Sequence, residues 1–294
     1  MTGRFYALNF ALLPAPDVIE PLDFEVAYTQ HRDRFLQAWT QARDVDPTLP
    51  EPEPFLIESH PVAMLLEAVA YREVLLRARI NAAALATMVA YADGADLDNV
   101  AASFGVSRLD GESDTRLRTR VTLAPEALAS AGTAGGYIYH AMTAAPSVPK
   151  VTAVSTAPGR ADITVQGAGA DKLPTEEQLV AVRDRLSAED VKPLTDQVVV
   201  SPPTVIDADI VATVTFAEGP NAIQLAAQIE GSIQAYVDRV TMLGGTLARS
   251  GIIAAAHLDQ VVSVDLTSPA ADAVAAYNQC VRVTDVSVTT VIQA

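Results

Sequence analysis

The chain has 294 residues, and half of them are hydrophobic. This length exceeds that of a protein with one typical core and predicts two or three domains. Its formal net charge of −16 and its aromatic content of 5% argue against nucleic-acid binding, because acidic surfaces repel phosphate and base stacking needs aromatic side chains. Cys280 is the one cysteine, and neither a secretory leader nor an apolar run of about 18 residues is present. We therefore expect a protein made and used in the cytoplasm, with no nucleic acid and no membrane as a partner.

The first helix is predicted to follow an irregular, proline-interrupted segment over residues 1–23. It begins at Phe24 and carries an aromatic stripe near a 3.6-residue period. Residues 47–54 then place proline at alternate positions, which favours extended backbone. This segment is either a stiff linker or an arm that docks on a neighbouring subunit. The predicted stripe consists of Phe24, Tyr28, Phe35, Trp39 and Ala42.

A long helix is predicted from Pro61, with Ser59 as its cap, to Tyr91, a length of about 45 Å at 1.5 Å per residue. Its apolar residues recur at steps of three and four and form two faces. Such a helix is either a domain spine or part of a helix-to-helix subunit contact. The predicted apolar positions are Val62, Leu65, Leu66, Val69, Leu76, Ile80, Leu85, Met88 and Val89.

Three shorter helices are predicted next. Gly94 should end the long helix, and Asp96 should cap a short one that Gly105 ends. The nearby acids lack the spacing of a calcium-binding loop, so we interpret them as caps. Ser113 should cap the following helix, which Pro125 should break or kink. Another helix should start at residues 132–133 and stop before residue 146, and Arg116, Arg118 and Arg120 should form ion pairs within or between subunits.

The pattern changes to two small α+β units after residue 149. The first has strands over 150–155, 162–166 and 196–201, and a helix with a Thr175–Gln178 capping box. A boundary is predicted at Pro202-Pro203, and an alternating strand follows over 209–216. A helix should begin at residues 219–221, a short helix should span 251–258, and strands should span 261–266 and 281–292. This order favours helices packed on one face of a mixed or antiparallel sheet.

The sequence therefore predicts a multidomain α+β protein: an N-terminal helical region with a long helix, followed by two small α+β domains. The predicted parts are an arm, helix and proline-rich linker over 1–58, a helical core region over 59–148, a first α+β domain over 149–202 and a C-terminal α+β domain over 203–294.

No catalytic, cofactor-binding or metal-binding residues are predicted. The four histidines, at positions 31, 60, 140 and 257, do not have metal-ligand spacing. The glycines around Thr133 lack the Lys-Ser/Thr end of a phosphate-binding loop, and Ser250 lacks the Gly-x-Ser-x-Gly pattern of a nucleophile. Paired acids such as Glu176-Glu177 lie on predicted helix surfaces, and nothing places them in an apolar cleft. We therefore expect no cofactor and no enzymatic activity.

The order and spacing of several short motifs resemble those of the baseplate J-like family of contractile phage tails and tail-like particles. The similarity runs from about residue 21 to the C-terminus. Within it, Lys192 stands where arginine is commoner. The motifs are Ser59-His60-Pro61, residues 65–73, residues 77–81, residues 92–98, residues 104–108, Glu112-Ser113-Asp114, residues 118–121, Ala131-Gly132-Thr133, Tyr137, Pro158-Gly159 and residues 192–196.

The resemblance implies a structural baseplate wedge subunit in the virion tail, which forms a ring around the central hub and rearranges when the sheath contracts. The implied partners are other copies of the chain, other wedge proteins, and the hub with its spike. The wedge proteins include a sheath-initiating subunit with a lysozyme-like fold and a wedge protein on the tail-fibre side. Residues 47–54 and the Pro202-Pro203 junction are candidate hinges. The alternatives are a cytoplasmic scaffold or adaptor unrelated to phage, and a hydrolase with an acidic cleft between its α+β units.

Overall fold

The computed structural model describes residues 13–14, 16–128, 132–216, 222–259 and 261–292. The chain divides into two compact units, a helical unit within residues 8–103 and an α+β unit over residues 104–294. The predicted α+β fold class is confirmed, because helices precede and flank two separate three-stranded sheets.

The helical unit is built on two long helices, α1 (Phe24–Val45) and α2 (Pro61–Ala86), which pack against each other. The predicted start of α1 at Phe24 is confirmed, and the Asp23 carboxylate caps it by accepting a hydrogen bond from the Val26 amide at 3.1 Å. No helix or strand occurs in the described part of residues 13–23, as predicted.

The structure corrects both ends of the predicted long helix. The cap of α2 is His60 rather than Ser59, because Pro61 takes the first helical position and the His60 Nδ1 atom accepts from the Val62 amide at 3.2 Å. The helix ends at Ala86 rather than Tyr91, where the Thr87 amide and hydroxyl both turn back to the Ala84 carbonyl. At 26 residues, α2 is about 39 Å long.

Gly94 does not end α2, since it begins the next helix, α3 (Gly94–Ala102). Asp93 occupies the cap position of α3, and Asp96 lies in its first turn rather than at its cap. The negative charge of Asp96 near the helix N-terminus complements the helix dipole.

Residues 47–54 connect α1 to α2 and fold back on α1. The Trp39 Nε1 atom donates to the Pro50 carbonyl at 3.0 Å, and Arg43 donates to the Leu49 carbonyl at 3.3 Å. Arg43 also forms an ion pair with Glu51. A short 3-10 turn over Glu53–Leu56 then leads toward α2.

The first part of the α+β unit has helices α4 (Asp114–Ala127), α5 (Ala134–Ala144) and α6 (Glu176–Leu186), with strands β1 (Lys150–Ala157), β2 (Arg160–Gln166) and β3 (Gln197–Ser201). The predicted cap at Ser113 and the capping box at Thr175 are confirmed, and α5 begins next to the predicted start, with Thr133 as its cap. Helix α4 continues two residues beyond Pro125 before it ends. Strand β2 pairs antiparallel with β1 and parallel with β3.

The second part has strands β4 (Thr204–Phe216), β5 (Thr246–Leu247), β6 (Val261–Ser268), β7 (Ala273–Val274) and β8 (Gln279–Ile292), with helices α7 (Ala222–Val240) and α8 (Arg249–Ala256). The sheet order is β6-β4-β8, antiparallel on one side of β4 and parallel on the other, so the predicted mixed sheet is confirmed. The two-residue pair β5–β7 is not predicted from the sequence. The predicted helix start at residues 219–221 lies outside the described residues.

Each sheet buries its own hydrophobic core. Over residues 210–216 of β4 the alternation that the sequence predicts is confirmed, since every second side chain there is buried. The core of the second part includes Ile210, Ala212, Val214, Phe216, Ile229, Ile233, Val237 and Ile252. The core of the first part includes Leu123, Tyr137, Met142, Ile163, Val165, Leu179, Val182 and Leu186. Helices α4 and α5 therefore share a core with β1 and β2.

Two glycines should respond oppositely to alanine substitution. A Cβ atom at Gly245 would lie 2.0 Å from the Val240 carbonyl oxygen, whereas one at the helical Gly231 meets nothing within 4 Å. Gly245→Ala should lower the free energy of unfolding by roughly 1–3 kcal/mol through overpacking. Gly231→Ala should raise it by roughly 0.5–1 kcal/mol through helix propensity. Urea denaturation of the full chain measures both, and equal effects would contradict the close approach at Gly245.

Candidate assembly interface

Helix α2 exposes large apolar side chains in the described part of the helical unit. Leu65, Tyr71 and Ile80 are each 60% exposed or more, whereas Ala63 and Ala70, which lie on the opposite side, are 0% exposed. A helix in an isolated domain normally shows the reverse pattern, with its large apolar residues inward. The surplus apolar surface marks a site for contact with another protein.

The exposed residues form two adjacent stripes on α2, each with the four- and three-residue steps of a helix packing seam. The two stripes together contain twelve residues, of which all are exposed and ten are apolar. We call these twelve residues the α2 face. The first stripe is Met64, Ala68, Tyr71, Leu75, Arg79 and Ala82, and the second is Leu65, Val69, Arg72, Leu76, Ile80 and Ala83.

The sequence predicts part of the α2 face and misses the rest. Leu65, Val69, Leu76 and Ile80 appear among the predicted apolar positions, whereas Met64, Tyr71 and Leu75 do not. The missed residues were detectable, because they belong to the first stripe, which repeats the spacing of the second stripe one residue earlier in the chain. That repeated spacing is the signal for a helix that packs against two neighbours.

Polar contacts fix α2 within the helical unit on the side away from the α2 face. Glu73 accepts hydrogen bonds from His31 at 2.6 Å and from Arg77 at 2.5 Å. Desolvation acts to raise the pKa of Glu73, but the hydrogen bonds from His31 and Arg77 outweigh it and hold that pKa below its usual value. Asn81 exchanges hydrogen bonds with the backbone of Glu20, at 2.8 Å and 3.1 Å. These contacts set which side of α2 faces outward.

A buried ionic cluster stabilises the start of the α+β unit. Glu112 has a side chain that is 0% exposed, and its two carboxylate oxygens accept hydrogen bonds from Arg116 and Arg120, each at 2.7 Å. The Leu109 amide donates to the same carboxylate at 3.0 Å. The predicted ion pairs of Arg116 and Arg120 are therefore internal to the chain.

Arg116 also binds the end of α5. Its guanidinium donates to the carbonyl oxygens of Met142 at 2.5 Å, Ala145 at 3.0 Å and Val148 at 3.2 Å. Carbonyls at a helix C-terminus carry partial negative charge, so a cation is favoured there. Burial lowers the pKa of Arg116, and Glu112 opposes that shift. The cluster thus connects the cap of α4 to the end of α5.

Removal of the Glu112 carboxylate should destabilise the α+β unit strongly, because two buried guanidinium groups lose their counter-charge. Glu112→Ala should lower the free energy of unfolding by about 3–5 kcal/mol. Asp207→Asn is the control, since Asp207 pairs with Arg282 at 2.7 Å on an exposed part of the sheet. The control should cost about 1 kcal/mol or less. Urea unfolding followed by circular dichroism tests this difference, and similar losses would contradict it.

A cavity of about 240 Å³ beside α5 gathers polar side chains, but their contacts are structural. The Tyr137 hydroxyl donates to Asp196 at 2.7 Å, and burial together with this carboxylate raises the pKa of Tyr137, which disfavours a phenolate nucleophile. Thr133 caps α5, and Asp190 pairs with Arg185 at 2.9 Å. The hydrogen bond between Tyr137 and Asp196 therefore favours a neutral phenol and not an activated nucleophile.

His140, which lines the same cavity, should make stability depend on pH. Burial and the nearby Arg185 lower its pKa from the ordinary value of 6.5, against smaller opposing effects of Asp190 and the Ala127 backbone. Its neutral form is therefore favoured in the folded state. Its contribution to stability is present above pH 6.5 and is lost as the pH falls from there through the folded-state pKa.

The variant His140→Gln should flatten the decline of unfolding free energy with acidification, compared with the natural chain. The exposed His257→Gln serves as control and should keep the natural slope. Urea denaturation at a series of pH values from 7.5 to 5, a range chosen to span the ordinary histidine pKa, measures the slopes. Identical slopes for the natural chain and His140→Gln would show that His140 is not the group responsible.

Buried hydrogen bonds join the two parts of the α+β unit. The Gln166 amide oxygen accepts from the Leu243 amide at 2.9 Å, and its nitrogen donates to the Thr241 carbonyl at 3.5 Å. The Lys150 ammonium donates to the Leu243 carbonyl at 2.9 Å, and burial lowers the pKa of Lys150. Because these groups are buried, separating the two parts would leave polar atoms to be resolvated.

In the part of the chain that the structure describes, no group of three or more histidine, cysteine or acidic side chains could hold a metal ion. Within the same residues, no helix combines the length and the apolar character that crossing a bilayer requires.

Comparisons with known proteins agree with the motifs. The signature of the Baseplate J-like N-terminal domain matches residues 58–111, that of the Baseplate J-like central domain matches residues 129–202, and that of the Baseplate J-like protein C-terminal domain matches residues 208–289. Baseplate protein J of Escherichia phage P2 is 34% identical over 279 residues, which covers 89% of this chain and 90% of the relative. The predicted resemblance is confirmed, and the chain belongs to the Baseplate J-like family.

Proposed function

We propose that this chain is a structural wedge subunit of a contractile phage tail or tail-like injection particle, in which it forms the baseplate ring around the central hub. Similarity along most of the chain to a phage baseplate protein supports a structural baseplate role. The observation that carries the proposal is the α2 face, an apolar surface about 30 Å long over residues 64–83 that needs a protein to cover it.

The proposed partners are other copies of this chain, other wedge proteins and the hub with its spike. The wedge proteins include a sheath-initiating subunit of lysozyme-like fold and a wedge protein on the tail-fibre side. The α2 face provides the surface for a helical bundle with wedge proteins. The proposed location is the baseplate of the tail, after assembly in the cytoplasm of the host bacterium.

The proposed domains have the predicted limits, 1–58, 59–148, 149–202 and 203–294. The baseplate rearrangement on sheath contraction would shift the contacts between rigid bodies. Buried hydrogen bonds from Gln166 and Lys150 support movement of the last two domains as one body. A hinge at Pro202-Pro203 would have to break them, so residues outside this junction are better candidates for movement.

The proposed role is not enzymatic. Of the residues that line the cavity beside α5, Asp190 pairs with Arg185, the Tyr137 hydroxyl binds Asp196, and Thr133 is occupied as a helix cap. These bonds hold elements together and leave no activated nucleophile among the described lining residues, which favours structure over hydrolysis.

The double variant Leu76→Gln with Ile80→Gln should block baseplate assembly while the chain still folds. Both side chains are half exposed or more, so the free energy of unfolding should change little. In the assembly they should be buried, and the loss of two apolar anchors should reduce assembled tails by about tenfold or more. Complementation of a gene deletion in the particle-producing host, with tails counted by electron microscopy, measures the effect.

Leu194→Gln is the matched control, because Leu194 is fully exposed in the other unit of the chain. It should leave the number of assembled tails unchanged. A normal tail count for the Leu76/Ile80 variant would refute the proposed contact.

A further inference from the structure

We propose that the α2 face binds acidic amphipathic helices from other baseplate chains, and that their carboxylates pair with Arg72 and Arg79. This inference rests on the proposed function and specifies the chemistry of the partner. Three features support it: the two arginines lie within the stripes, the α2 face contains no acidic residue, and two identical faces would repel each other.

Each stripe of the α2 face is interrupted once, and each time by arginine. Arg72 lies three residues after Val69 and four before Leu76, which places it in the middle of an apolar seam. Arg79 follows Leu75 by four residues in the other seam. A helix that packs on either seam must therefore bury or closely approach a guanidinium group.

Within the part of the chain that the structure describes, no side chain supplies a counter-charge for these arginines. None of the twelve residues of the α2 face is acidic, and no ion pair of Arg72 or Arg79 is formed among the residues that the structure describes. Arg77, on the inner side of the same helix, differs because it pairs with Glu73 at 2.5 Å and approaches Glu20 at 3.6 Å. Both glutamates of α2 lie off the α2 face, so its charge is positive only.

A buried guanidinium needs a partner. Covering an unpaired cation costs several kcal/mol, whereas a carboxylate in bidentate contact offsets that desolvation. The occupant must therefore be apolar along its own seam and carry a carboxylate opposite each arginine. Charge complementarity of this kind also fixes the register of one helix along the other.

A second copy of the α2 face does not meet this requirement. Two such faces would bring arginine toward arginine or toward apolar residues, with no acid on either side, and like charges at a contact are repulsive. The occupant is therefore a helix of a different protein, whether or not further copies of this chain join the same helical bundle.

Charge reversal tests the inference in assembled particles. The double variant Arg72→Glu with Arg79→Glu should reduce the number of assembled tails by about tenfold or more, since each reversal replaces an attraction by a repulsion. Arg72→Lys with Arg79→Lys keeps both charges and should retain most of the assembly. Arg34→Glu is the matched control, because Arg34 is exposed on α1 and lies off the α2 face. It should assemble normally.

The outcomes separate this inference from the proposed function. If the arginine reversal assembles as well as Arg34→Glu while the Leu76/Ile80 variant fails, the apolar contact stands and its acidic chemistry is refuted. If neither double variant impairs assembly, the proposed contact itself is refuted. Equal losses for the reversal and for Arg34→Glu would indicate a general charge effect and overturn the inference. Thermal melts of each full chain, followed by circular dichroism, check that all variants fold.

Photocross-linking identifies the occupant directly. A photoreactive amino acid at Ala68, an exposed position of the first stripe, should cross-link in intact tails to another baseplate protein. The cross-linked segment should be helical, with an aspartate or glutamate within about one turn of the site, since residues three and four apart share a helix face. Cross-links only to other copies of this chain, or only to segments without acids, would overturn the inference.

Discussion

Helix α2 exposes large apolar residues while it buries two alanines, and the proposed assembly role depends on this inversion. The small Ala63 and Ala70 lie inward, while Leu65, Leu76 and Ile80 lie outward. The exposed arrangement is unfavourable for an isolated chain in water, because apolar area is favourable only when it is removed from solvent. In the proposed assembly, part of the apolar surface of this helix would be buried at a contact between chains.

The α+β unit buries both apolar and charged groups. Each of its two larger sheets packs on its own hydrophobic core, and Glu112 is buried with both carboxylate oxygens bound by Arg116 and Arg120. The cluster is not fully satisfied, since the Nε atom of Arg120 has no hydrogen-bond partner, although the guanidinium lies 5.7 Å from the ring centre of Tyr139. Such a network favours one arrangement of α4 and α5 over others, which suits a unit that must keep its shape.

The elements that depend on local chemistry could be predicted from the sequence. The Thr175 capping box, the alternation along β4 and the helix start at Phe24 each follow from a few neighbouring residues. The contacts that fold residues 47–54 back on α1 could not be predicted, because Trp39 and Arg43 bind backbone carbonyls there and no local pattern shows this. Likewise, the spacing of the α2 stripes is visible in the sequence, but an apolar stripe has the same period whether it faces a core or a partner.

The distribution of charge offers a physical route to ordered assembly. The whole chain carries a formal net charge of −16, so free subunits repel one another and stay soluble. The α2 face is the exception on its helix, since its only charges are the positive ones of Arg72 and Arg79. An acidic helix would be drawn to that face and would at the same time cover the apolar stripes beside it. Copies of this chain would then come together on a surface that already contains the partner, because the bare faces lack any charge that could join them.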